Sequence, residues 1–215
     1  EMREDGGTPG FLQCIRTALA IKLKDEMGVQ NIAAREKDIV EYVMGELSKN
    51  DRIVMLEPHI KNRLAIVSFY MLNAHYNLVV RILNDRYGIQ TRGGCSCAGT
   101  YGHILLNVDH DTSQKITQQI DMGDFADKPG WIRASFHPTT SNEEAAYIVN
   151  AINEISVNIE EWGQEYRFNP ALGDFEHKNA AVEFPNLNEF NPLATSAETL
   201  MSDENHPSIL KRLFG

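Results

Sequence analysis

"GWIRASFHPTTSNEE", Gly130 to Glu144, passes from one kind of periodicity to another. Trp131 to Phe136 is a short apolar and aromatic run with the length of a buried strand. Pro138 then interrupts it. Ser141, with Glu144 three residues on, makes the paired cap that opens a helix. Ala145, Ile148, Val149, Ile152, Ile155 and Ile159 follow at spacings that place them on one helical face. A strand feeding an amphipathic helix of this length predicts an α/β or α+β layer, with helices covering a small sheet.

Working outward, the same alternation recurs. Leu12, Ile15, Leu19, Leu23 and Met27 predict a helix over about 10–27, closed by Gly28. A second helix follows over about 30–49, with Ile39, Val40, Val43, Met44 and Leu47 on one face. Ile53–Leu56 and Leu64–Tyr70, parted by Pro58 and Asn62, predict two buried strands in a hairpin. Tyr76–Tyr87 returns to helical spacing and stops at Gly88, Ile89–Arg92 predicts a strand, and Thr112–Met122 a modest helix. From residue 163 the periodicity fades among Pro170, Pro185, Pro192 and Pro207. An extended tail is expected there, touching the body or a partner through Phe168, Phe175, Phe184 and Phe190.

The 215 residues are 42% hydrophobic, enough to fill a core, and 20 basic against 30 acidic residues give a net charge of −10. That balance, with no basic stripe, argues against nucleic acid as a partner. No apolar run reaches membrane-spanning length and the first residues do not form a secretory leader, so a soluble cytoplasmic protein is expected. Three cysteines, an odd number, fit free thiols in a reducing compartment.

Three places could carry chemistry. In Arg92–His103, "RGGCSCAGTYGH", Cys95 and Cys97 lack the partner pair that structural zinc wants, and no metal site is expected. A disulfide between them would be strained, because alternate residues of an extended strand point to opposite faces. Two readings stay open: small apolar fillers in a glycine turn, or a thiol activated by Arg92 on a loop loosened by Gly93, Gly94 and Gly99. Gly6-Gly7-Thr8-Pro9-Gly10 stands at a helix mouth, where amide groups and a hydroxyl favour a phosphate if the loop is more than a turn. Arg133 lies inside a strand, where a guanidinium needs an anion, either a ligand carboxylate or a structural Glu. His137, beside Pro138, reads as a turn residue, and His59, His75 and His177 show no pattern.

Taken in order, "REDGGTPG", "IQTRGGCSCAG" and "GWIRASFHPTTSNEE" resemble class V of the fold-type I pyridoxal-phosphate enzymes, nearest the cysteine desulfurase and selenocysteine lyase branch. The likeness runs from about Arg3 to Ile159. It implies the small C-terminal domain of such an enzyme, 29–162, preceded by a loop and linking helix from the large domain, 1–28, and followed by the tail, 163–215. It implies pyridoxal phosphate as cofactor, an amino-acid substrate and a homodimer. The resemblance gives Thr8, with Gly7 beside it, the cofactor phosphate across the dimer. It makes Cys97 the sulfur-accepting nucleophile, and Arg133 the residue that binds the substrate carboxylate, with Arg92 in the same motif.

Two features depart from the family pattern. The histidine-rich lead-in to the cysteine is replaced by Cys95-Ser96. None of the nine lysines stands in a serine–x–histidine–lysine segment, and Lys61, after His59-Ile60, falls on the wrong side of the glycine loop. The sequence is therefore expected to be a C-terminal fragment, inactive alone, whose large domain is missing. Its parent is expected to be a desulfurase or lyase. The alternatives are an aminotransferase or epimerase with a structural Cys97, and a non-catalytic interaction module.

Overall fold

The computed structural model describes residues 6–95 and 99–179. Four strands form one antiparallel sheet in the order β1-β2-β4-β3: β1 (Ile53–Met55), β2 (Ile66–Met71), β3 (Arg92–Gly94) and β4 (Trp131–Ser135). The expected hairpin is present, with Ile53 opposite Met71 and Met55 opposite Phe69. β4 inserts next to β2, Ser68 facing Arg133 and Phe69 facing Ile132, so the stretch that opens the reading is the sheet's central seam.

Period-two alternation divides that sheet into two unlike faces. Val67, Phe69, Met71, Ile132 and Ala134 point into a core closed by α2 (Val29–Leu47), α3 (Tyr76–Tyr87) and α6 (Asn142–Gly163). Each helix contributes the apolar face that its spacing predicted: Ile39, Val43 and Leu47 from α2, Val79, Ile82 and Leu83 from α3, Val149, Ile152 and Ile155 from α6. The opposite face carries Ile66, Ser68 and Tyr70 from β2 and Arg133 and Ser135 from β4, none of them buried. Both bonds of the Ser141/Glu144 capping box are made. Gly28 has φ +81° and Gly88 φ +65°, values that L side chains disfavour.

Several elements differ from the sequence reading. The strand expected at Ile89–Arg92 pairs later, over Arg92–Gly94, because a strand ends where partners stop and β4 offers partners only at Trp131–Arg133. α4 (Gly99–Leu105) and α5 (His110–Asp121) form an excursion between β3 and β4, and the first of these helices has no sequence signal among its glycines. The segment after 163 is not uniformly irregular. β5 (Tyr166–Asn169) and β6 (Asp174–His177) pair as a hairpin, and Phe168 and Phe175 do pack on the body, their ring centroids 5.4 and 5.3 Å from His75. Phe184 and Phe190 lie outside the described residues.

α1 (Phe11–Met27) adopts the predicted helix, yet none of its residues is buried. Leu12 is 73% exposed, Leu19 61% and Leu23 49%, so its apolar stripe faces outward. Among the described residues no helix is long and apolar enough to cross a membrane.

Candidate functional site

Arg92 and Arg133 are directly opposed across the β3–β4 ladder. Opposed residues of an antiparallel pair project to the same side, so both guanidinium groups rise from the sheet's outward face. Like charges at such a pair are unfavourable unless an anion lies between them. Arg133 adds a second demand: its Nε is sealed from solvent and, among the described residues, has no hydrogen-bond partner. A buried donor left unmade costs about 1–3 kcal/mol, more when charged, which makes this nitrogen a place where an acceptor binds favourably.

Two glycines set the height of this face. A Cβ at Gly93 would lie 2.4 Å from Asn77 Oδ1 and 2.9 Å from Tyr76 Cδ2, so β3 can rest on α3 only because that atom is missing. Gly94 has φ +110°, which turns the chain out of the strand towards the cysteines. Cys95 is half-buried, and its Cβ lies 3.6 Å from the position a side chain would take at Gly102 of α4. Gly102 sits over Trp131, the residue paired with Gly94 and only 5% exposed. The α4 roof thus covers β4 at Trp131, and Arg133 emerges about 7 Å further along the strand.

Cys97 lies outside the described residues, between the end of β3 and the start of α4. The chain enters that segment from β3, whose first residue is Arg92. Tyr76, under both β3 and Gly130, is held as the neutral phenol: burial raises its pKa, helped by the nearby Cys95 and Asp174.

Gly7 and Thr8 are placed differently. Every residue from 6 to 26 is exposed, and the loop stands at the far end of α1 from its junction with α2 at Gly28. Gly7 has φ +134° and the space around its Cα is open, so its amide and the Thr8 hydroxyl are accessible to an anion. The chain's own fold does not carry them to the arginines. His137 is a turn residue as read, its Nδ1 2.7 Å from Thr139 Oγ1.

The larger concavities lie away from the arginine face. One groove of about 1090 Å³ runs between Leu23 and Met27 of α1 and the Tyr87–Gln90 and Tyr147–Ile148 segments, another of about 820 Å³ lies between Lys37 and Lys61, and a third of about 700 Å³ lies beside Arg35. A sheet face is shallow by construction, so the arginine pair needs a second wall to become a pocket. Sequence reading missed Ser68, opposite Arg133 on its other flank, and Asn77 beneath Gly93, because both reach the site through non-local pairing that leaves no local signal.

The chain resembles known proteins over about 70% of its length. The probable cysteine desulfurase of Halobacterium salinarum is 29% identical over 150 residues, 70% of this chain and 31% of that protein. The cysteine desulfurase of Haloferax volcanii is 28% identical over 149 residues, 69% of this chain and 30% of that protein. The chain thus spans about a third of the length of the curated relatives it matches. The apo structure of a cysteine desulfurase from Thermococcus onnurineus NA1 shares the fold over 73% of this chain and 34% of its own, with a TM-score of 0.53 and 24% identity. The family model for class-V aminotransferases matches residues 1–148, and the chain belongs to that family.

Proposed function

We propose that this chain is the substrate-clamping and sulfur-accepting portion of a pyridoxal-phosphate enzyme of the cysteine desulfurase or selenocysteine lyase type. The observation that carries the reading is the sealed, unpartnered Nε of Arg133 directly across from Arg92. A planar guanidinium with an unmet donor fits the α-carboxylate of an amino acid, which two parallel N–H donors can hold in a fixed orientation.

Arg133 orients the substrate and Arg92 adds positive potential at the root of the cysteine segment, which favours the Cys97 thiolate. Cys97 Sγ attacks the substrate sulfur and forms the S–S bond of a persulfide. The carbon–sulfur bond breaks and its electron pair stays with the substrate carbon, which takes up a proton. The cofactor, when bound, supplies an electron sink for the amino-acid carbon. The open amide of Gly7 and the hydroxyl of Thr8 fit a phosphate, and their distance along α1 suits a contact made across a homodimer. No covalent link to the cofactor is proposed for this chain, since none of its lysines stands in a matching segment.

In the full-length enzyme, Arg133→Gln is expected to raise KM for the amino acid roughly 10- to 100-fold, the worth of a charge-assisted pair, with the cofactor absorbance kept. An unchanged KM would remove the clamp. Cys97→Ala is expected to abolish sulfur release. Turnover surviving that substitution would favour the second reading, an aminotransferase or epimerase in which Cys97 is structural, which the family's own description supports.

A further inference from the structure

The β5–β6 hairpin lies beyond residue 148, where the family match ends, and it is fastened to α3 along that helix's length. Arg86 Nη2 donates to both oxygens of Glu165, at 2.6 and 2.7 Å, while its guanidinium lies 4.3 Å over the Trp162 ring. The Tyr166 hydroxyl donates to Asp85 at 3.1 Å and Arg81 to Asp174 at 2.8 Å. Its turn reaches the loop before β4: the Phe125 amide donates to the Pro170 carbonyl at 3.1 Å, and a Cβ at Gly173 would stand 2.9 Å from that of Phe125.

One further contact falls on the first turn of α3. Asn77 Nδ2 donates to the Gly173 carbonyl, while Asn77 Oδ1 is the atom that comes nearest the missing Cβ of Gly93. One amide therefore touches the hairpin with one end and β3 with the other. Beside it, Tyr76 underlies Gly93, in the middle of β3, and Gly130, where the chain returns into β4. β3 itself is a three-residue edge strand with two glycines, a segment that on its own opens easily.

We propose that the hairpin is a brace that holds the root of the cysteine segment in place, with Asn77 as the positioning residue that couples the two. Its meaning for catalysis rests on the function proposed above; the mechanical coupling does not.

The test is hydrogen exchange in the full-length protein. Gly173→Val should push the turn off Phe125 without touching the sheet, and Asn77→Asp keeps the oxygen at Gly93 but loses the donor to Gly173. Each is expected to speed exchange of the Thr91–Cys95 amides by roughly tenfold while the Val149–Ile155 amides of α6 stay protected. Unchanged exchange over 91–95 in Gly173→Val, with the hairpin amides themselves deprotected, overturns the brace. So does an equal rise in α6, which would make the hairpin a general stabiliser. If Cys97→Ala keeps turnover while the exchange coupling holds, the catalytic reading fails and the brace stands.

Discussion

Arg133 and Gly93 show how much of this site depends on single atoms. The Arg133 guanidinium has an Nε that is sealed and, among the described residues, unmet, and the strand beside it rests on α3 because Gly93 has no Cβ. Gly93→Ala is expected to cost about 1–3 kcal/mol, since the added carbon meets an amide oxygen and an aromatic ring held by a packed helix. Urea denaturation measures it. His75 offers a different test. Its Nδ1 accepts from the Asn77 backbone N–H, its Nε2 is buried without a partner among the described residues, and its ring stacks 4.4 Å from Tyr76. Burial pushes its pKa below the ordinary 6.5, opposed by Asp174. Just below 6.5 the unfolded chain takes up the proton and the folded one does not. Stability should therefore fall as pH drops through that window and level off below the folded pKa. His75→Asn, which keeps a cap acceptor, should flatten that part of the curve when urea midpoints are followed from about pH 7.5 to 5.

At the scale of elements, α6 is the most self-sufficient. Its cap, its acidic first turn at Glu143 and Glu144 and its apolar face all agree, so it forms where the local chain says it must. Ser141→Ala is expected to lower stability by about 1 kcal/mol, seen as a shift in the urea midpoint with an unchanged slope. β3 and the β5–β6 hairpin are the reverse. Arg92–Gly94 has no strand propensity and exists because Arg133, Ile132 and Trp131 pair with it. The hairpin escaped the sequence reading because its pattern, aromatic residues among Asn, Pro and Gly, resembles a tail. Its order comes from Arg86, Arg81 and Asp85 on α3, all far away in sequence.

For the molecule as a whole, the outward stripe of α1 and the open arginine face are surfaces that a larger assembly would cover. The isolated chain is expected to self-associate at raised concentration through Leu12, Ile15, Leu19 and Leu23, and Ile15→Glu with Leu19→Glu should return it to a monomer in sedimentation velocity. The division of labour between sequence and fold follows the range of the forces involved. Helices α1, α2, α3 and α6, the β1–β2 hairpin and the seam strand at Trp131 were legible because caps, glycine stops and apolar spacing act within a few residues. That Arg92, Cys97 and Arg133 serve one site is an expectation carried by the family resemblance, not by these local patterns. That Arg92 stands opposite Arg133, that Arg133 Nε is left without an acceptor, and that Asn77 links Gly173 to Gly93 were settled only by tertiary structure. Strand pairing and burial join residues tens of positions apart, and no local pattern encodes which two will meet.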